Sequence, residues 1–524
     1  MLPLLSVLPA LTAGWFPNYA RIPMPPAQVP ADAIKLRPHP HLYEINTWVW
    51  LEQLSAKFGR TISLGEVPDS EWEAVANRGF DIVWLMGIWQ RSADSRRITL
   101  QDPANFQLYD RALRGWQVED VIGSPYSIQA YVPDPRIGNW DDLDRARQKL
   151  RDRGIALFLD FVGNHTALDH PWVRENPEFY VQGTVEDFRT DPGSFYIDIT
   201  SEGTYFIALA KDPYFPPWKD VAQLNHFNPE MRAAQLAGLR TIASHCDGIR
   251  CDMAMLHLRD IFGEVWGRLL RNTPPPKTEF WTDAHAAVPS LILLAEAYWG
   301  TGHRLLELGF SYVYDKDFYD AVRDFKAEEV RSRLAAPVEV QSHFARFLEN
   351  HDEPRSADIF GTNRLPSVGT LMGTIPGMRF YYQGELEGCE PHLPITLRVP
   401  ANVPPDEVCL KLYNQILNIS RNDVFHHGEF RLLPILPERD ATSSNIITYE
   451  WRSATTWKIV AVNLAGDASQ GRLQLDRVQA DGNYIFYDEL HDIRYPRKGD
   501  DLRTSGLFVR LEGFQAHLFD VTPV

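Results

Sequence analysis

The run Gly248-Ile249-Arg250-Cys251-Asp252 places a guanidinium two residues before a carboxylate, at the end of a short apolar segment. Side chains in a β-strand repeat every two residues, so Arg250 and Asp252 point to one face. An Arg beside an Asp holds the carboxylate ionised and oriented, a state suited to nucleophilic attack. An ordinary ion pair would read the same way in isolation. Other polar residues tip the balance, because each also closes an apolar run. Glu296 follows Leu291-Ile292-Leu293-Leu294-Ala295, Asp352 ends Phe347-Leu348-Glu349-Asn350-His351-Asp352, and His165 ends Asp160-Phe161-Val162-Gly163-Asn164-His165. Two carboxylates flanking a bond are the equipment of glycoside hydrolysis. One attacks the anomeric carbon, and the other must start protonated, its pKa raised by burial or by like charge. The apolar flanks of Glu296 suit the acid, and Arg250 suits Asp252 to the nucleophile. A metal hydrolase built on His165, His351 and the carboxylates is the competing chemistry, but the HExxH spacing of zinc hydrolases is absent.

Eight apolar runs recur along the chain, at 42–46, 80–86, 155–162, 248–251, 291–295, 310–314, 345–348 and 378–382. Helical patterns at 140–153, 229–244 and 256–270 lie between several of them. Buried strands alternating with helices predict an α/β fold, a parallel sheet closed into a (β/α)8 TIM barrel. An open doubly wound sheet is the alternative, weakened because no glycine-rich phosphate loop follows the first run. Chemistry in such a barrel sits at the C-terminal ends of the strands, where Asp252, Glu296, Asp352, His165 and His351 fall.

The expected division is an N-terminal arm at 1–38, a barrel at 39–165 and 221–424, an inserted subdomain at 166–220 after strand 3, and a C-terminal antiparallel β-sandwich at 425–524. The connection at 88–141 is also long enough to shape a pocket.

A chain of 524 residues is too long for one core. Its net charge of −17 opposes a nucleic-acid partner. Aromatics reach 12%, with 15 Trp and 20 Tyr, and flat rings suit sugar faces. The four cysteines, Cys246, Cys251, Cys389 and Cys409, form no CxxC pair and read as packing thiols. The first thirteen residues lack Lys and Arg and hold two prolines, unlike a secretory signal, and no later run is long enough to span a bilayer. A cytoplasmic protein without a membrane partner is expected.

These motifs, in this order and at these strand ends, resemble those of the α-amylase family of retaining glycoside hydrolases. Asp160 to His165, Gly248 to Asp252, Ala295-Glu296-Ala297 and Phe347 to Asp352 look like the family's four motifs. Gln223-Leu224-Asn225 and the stretch 377–385 support them. The resemblance implies that Asp252 is the nucleophile, Glu296 the general acid and base, and Asp352 the transition-state stabiliser. It implies that His165 and His351 bind hydroxyls of the same sugar, that Arg250 positions Asp252, and that Tyr126 is the aromatic platform beneath the ring. The substrate implied is an α-1,4-glucan or maltooligosaccharide. A transglycosylase and an exo-acting α-glucosidase remain open. A non-catalytic carbohydrate-binding protein is disfavoured by the intact carboxylate set.

Two departures from the family pattern stand out. Many starch-cleaving members carry a Lys and a His three and four residues after the nucleophile, where this chain has Met255 and Leu256. Calcium-binding members use an Asn like Asn164 together with an Asp, and that Asp appears here as Gln223. No cofactor is required by this reading. Calcium at Asn164 stays an option, with Asp169, Asp187, Asp191, Asp198 and Asp212 as further oxygen donors.

Overall fold

The computed structural model describes residues 34–524 apart from 202 and 272. The arm expected at 1–38 therefore lies, up to residue 33, outside the described residues. Eight parallel strands close a barrel: β1 (His41–Asn46), β2 (Ile82–Met86), β3 (Ala156–Phe161), β4 (Gly248–Cys251), β5 (Ile292–Ala295), β6 (Tyr312–Tyr314), β7 (Phe344–Phe347) and β8 (Met378–Tyr382). Pairing of β1 with β8, at His41↔Arg379 and Tyr43↔Tyr381, shuts the ring.

Period two explains how the runs fill and then top the barrel. Leu42, Ile82, Trp84, Ala156, Phe158, Leu294, Ala345, Phe347, Met378 and Phe380 share one interior cluster. The alternate residues, among them Tyr43, Val83, Leu157, Ile249 and Leu293, join the layer beneath the helices. Gly248 belongs to the interior parity because Phe158 fills its place; a Cβ there would meet the Phe158 ring at 2.3 Å. Continuing the interior parity upward gives Glu44, Asp160, Arg250, Asp252 and Glu296. The C-terminal rim is thus polar while the barrel below it is apolar.

The outer helices carry legible start signals. Helix Trp140–Arg151 opens on a capping box, with the Asn139 side chain accepting from Asp142 N–H and Asp142 accepting from Asn139 N–H. It buries Leu143, Ala146 and Leu150 on one stripe. The helix expected from residue 256 starts at Arg259, because Ala254–His257 forms a 3-10 turn first.

After β3 the strand His165–Ala167 pairs with Val221–Gln223, at Gln223↔His165 and Val221↔Ala167, and so forms the neck of an insertion. The insertion holds a three-stranded sheet of 182–183, 195–200 and 203–208. At the C-terminus a six-stranded antiparallel sheet faces a three-stranded one across Ile446, Ile459, Leu473, Phe486, Leu511 and Phe519. Trp451 Nε1 donates to the Thr374 carbonyl at 2.7 Å and ties this sandwich to the barrel. The four cysteines are free thiols, three of them buried. Among the described residues, no helix is long and apolar enough to cross a membrane.

Candidate active site

Strand β4 delivers Arg250, fully buried, at the centre of the rim. Its Nη1 donates to Asp252 Oδ1 at 2.7 Å, as the two-residue spacing predicts. Its Nη2 also lies 2.9 Å from Glu296 Oε2, so one guanidinium bridges carboxylates from two strands. The register Arg250↔Leu294 makes this possible, since Glu296 is the next inward position of β5. The rings of Tyr126, Trp84 and Tyr314 surround the guanidinium with centroids at 5.2, 5.4 and 5.8 Å.

Glu296 is held at both oxygens. Tyr298 OH donates to Oε1 and Met253 N–H donates to Oε2, each at 2.7 Å. Met253 turns its amide inward by adopting φ 43°, a left-handed conformation rare for a side chain of this size. Burial pushes the Glu296 carboxyl up to about 7, with Arg250 opposing and the charges of Asp252 and Asp352 adding to the rise. Asp252 is also pushed up by burial, against the pull of Arg250. Arg250 thus orients Asp252 without holding it below the usual carboxylate range.

Asp352 differs. Its side chain is one third exposed, 33%, and its Oδ2 lies 3.1 Å from His351 Nε2. Desolvation opposes its charge, but the His351 imidazole outweighs this and holds the carboxyl down at about 2. The Asn350 side chain accepts from the Asp352 and Glu353 amides at 2.9 and 2.8 Å and sets this turn. Burial also works against a charged His351, yet the carboxylates of Asp352 and Glu44 raise its pKa well above the ordinary value. Glu44 Oε1 stands 2.5 Å from His351 Nδ1, and neither residue reaches solvent.

Tyr126 comes from the long 88–141 connection. Its hydroxyl meets His351 Nε2 at 2.7 Å, and the two rings stack with centroids 5.3 Å apart. His165, lowered to about 4 by burial, reaches the Tyr126 carbonyl through Nε2 at 3.1 Å. It therefore anchors the turn that carries Tyr126. Every site residue expected at the rim converges on this cluster. The residues missed are Glu44, Tyr298 and the Met253 amide. An acid at an inward position of β1, flanked by Leu42, Tyr43 and Ile45, was the available signal for Glu44.

No family model matches the chain. α-Amylase 3 of Dictyoglomus thermophilum is 24% identical over 285 residues, covering 49% of this chain and 52% of that protein. Trehalose-6-phosphate hydrolase of Escherichia coli is 27% identical over 327 residues, covering 53% and 58%. Among solved structures, a maltogenic α-amylase from Thermotoga neapolitana superposes with a TM-score of 0.65 at 18% identity, over 92% of this chain and 98% of that one. The chain is thus similar to enzymes of the α-amylase family in sequence and shares their fold. It spans about half to two thirds of the length of the first curated relatives, at 52%, 45% and 66%.

The family's calcium position can be tested on the residues present. The Gln223 side-chain amide donates to the Asn164 carbonyl at 2.9 Å, to Asn164 Oδ1 at 3.0 Å and to the Leu224 carbonyl at 3.0 Å. A neutral N–H donor group thus stands among three oxygens that could otherwise face a cation. Among the described residues, the hydrogen bonds of the Asn164 and Gln223 side chains involve no carboxylate. Asp169 caps helix Ala93–Gln101, Asp187 sits in the Thr184 capping box, and Asp191 accepts from Ser194. Asp198 pairs with Arg174, and Asp212 accepts from the amides of Tyr214 and Phe215. This neutral donor set does not fit a hard dication.

Proposed function

We propose that this chain cleaves α-glucosidic bonds with retention, in α-1,4-glucans or maltooligosaccharides. The observation that carries the reading is the Arg250 bridge between Asp252 and Glu296, beside an ionised Asp352. One guanidinium touching both carboxylates keeps them close, as retention requires. Asp252 attacks the anomeric carbon while Glu296 gives its proton to the departing glycosidic oxygen, leaving a glycosyl ester on Asp252. Water then attacks that carbon, Glu296 takes the water's proton, and the ester bond breaks to restore Asp252. Asp352 grips hydroxyls of the distorted ring. His351 holds Asp352 and the Tyr126 hydroxyl against that sugar, and His165 fixes the turn that carries the Tyr126 platform.

An exo-acting α-glucosidase on short substrates has support of its own. Met255 and Leu256 are buried at 0% and 3% exposure and offer no polar group to a sugar on the leaving side. The Tyr214 ring from the insertion meets Trp299, three residues past Glu296, edge-on at 5.1 Å, and so brings the insertion up to the end of β5. A product time course on maltoheptaose tests both statements. The expected outcome is glucose or maltose from the first samples. Early mid-length fragments would overturn the short-substrate reading, products longer than the substrate would move it to transglycosylation, and inertness towards every α-glucoside would overturn the activity itself.

Independence from calcium belongs to the same reading, on the strength of the Gln223 amide. Adding Ca2+ to the EDTA-treated chain is expected to change the rate by less than about twofold and Tm by less than about 2 °C. Gln223→Asp should make Tm rise with added calcium. Loss of wild-type activity in EDTA, restored by calcium, would contradict this.

A further inference from the structure

A second cluster of ligating side chains lies in the C-terminal sandwich, on the sheet that docks against the barrel. Strand Asn483–Asp488 ends in a carboxylate with no solvent exposure. Backbone amides hold one of its oxygens: Leu490 N–H and Leu518 N–H reach Oδ1 at 3.1 and 3.4 Å. The other oxygen faces two imidazoles. His491 Nδ1 lies 2.8 Å from Oδ2, and His517 Nδ1 lies 2.5 Å from the same atom.

Neither histidine arrives by chance of a mobile surface chain. His491 sits in the hairpin turn between the strands 483–488 and 493–498, which pair at Asp488↔Ile493. His517 comes from the neighbouring strand, whose pairing Asp488↔Phe519 brings it diagonally to Asp488. The His517 ring stacks on Phe519 with centroids 5.0 Å apart, which fixes its orientation. Among the described residues, the ion pairs of Asp488 are to these two histidines, and no Lys or Arg pairs with it.

We infer that Asp488, His491 and His517 form a binding site for a divalent transition metal of the zinc class. The donor atoms all lie within 4.8 Å of one another. Two imidazole nitrogens and one carboxylate oxygen select a borderline metal over calcium or magnesium. Three protein ligands with water in the fourth position is an established zinc arrangement. Binding requires each imidazole to carry its hydrogen on Nε2, which frees the Nδ1 lone pair. Donors around a tetrahedral zinc stand about 3.3 Å apart, so loading spreads the three groups by several tenths of an ångström. The turn position of His491, its side chain 41% exposed, gives room for that.

The location gives the site a consequence. The carbonyls of Glu489 and Leu490, in the same turn, accept from Gln415 Nε2 at 2.6 and 3.1 Å, and Gln415 lies on helix Glu407–Ser420 of the barrel part. Lys458 bridges Glu489 and Asp520 at 2.6 and 3.0 Å across the same sheet. A metal there stiffens the turn that joins sandwich to barrel, so it raises thermal stability without touching Asp252 or Glu296.

The test uses the full chain, stripped with EDTA and dialysed, then titrated with Zn2+ by calorimetry and by competition with a chromophoric chelator. One Zn2+ per chain is expected, with Tm rising as Zn2+ is added. X-ray absorption of the loaded protein should show two imidazoles in the first shell. His491→Ala and His491→Gln should weaken binding by at least about 100-fold, more than loss of an outer-shell partner costs, and abolish the Tm rise. The partial exposure of His491 lets both variants keep the metal-free Tm. If the wild type takes up no Zn2+ at micromolar concentrations, the three groups are a hydrogen-bonded clasp and the inference fails. Zn2+ bound equally by wild type and variants also overturns it. Should a variant unfold, the wild-type stoichiometry and absorption spectrum still decide.

Discussion

Asp252→Asn is expected to lose at least about 10⁴-fold in kcat on maltooligosaccharides while its Tm stays within a few degrees of wild type. The amide keeps the volume of the carboxylate and can still accept the Arg250 Nη1 hydrogen bond that Asp252 Oδ1 receives at 2.7 Å. It lacks the negative oxygen that forms the glycosyl ester. Removing this charge also relieves Glu296 of one of the neighbours that raise its pKa. The variant should therefore bind substrate and fail at chemistry, with KM changed far less than kcat. Circular dichroism and a thermal melt separate this from misfolding. Residual turnover within about a hundredfold of wild type would remove Asp252 from the nucleophile's role.

Glu296→Gln is expected to discriminate by leaving group. Natural maltooligosaccharides depart as poor leaving groups and need the proton, so kcat should fall by about 10²–10⁴. An activated aryl α-glucoside departs without help in the first step, and the loss on it should be smaller. The pH profile carries the same assignment. The wild-type rate requires Glu296 protonated, and burial places its carboxyl at about 7, so the rate should fall as pH rises through about 7. On the acid side the limit comes from Asp252, which burial raises above the ordinary aspartate range. Asp352 is held at about 2 and stays ionised throughout. In Glu296→Gln the alkaline limb should vanish. Equal losses on both substrates, with the limb intact, would argue against Glu296 as the acid.

The barrel was legible because its strands are buried on both faces and read as unbroken apolar runs, and the three carboxylates were legible because each terminates such a run. Parity placed Arg250 on the inward face with Asp252. It could not show that Arg250 also reaches Glu296, since that depends on β4 pairing beside β5 at Arg250↔Leu294. Glu44 was hidden for a similar reason: its partner His351 lies 307 residues away in sequence. The Met253 amide at Glu296 depends on a left-handed backbone that no residue preference would suggest for methionine. The Gln223 substitution was visible, but the placement of its amide among the oxygens of Asn164 and Leu224 was not, because the neck pairing of 165–167 with 221–223 creates it.

The most direct measurement is mass spectrometry of the chain after reaction with a fluorinated α-glucosyl donor whose good leaving group lets the ester form and whose fluorine slows its hydrolysis. The account predicts one added glycosyl mass, carried after proteolysis by the peptide containing Asp252 and absent from Asp252→Asn. A label on another carboxylate, or steady turnover of the donor with no ester accumulating and inverted product, would contradict it.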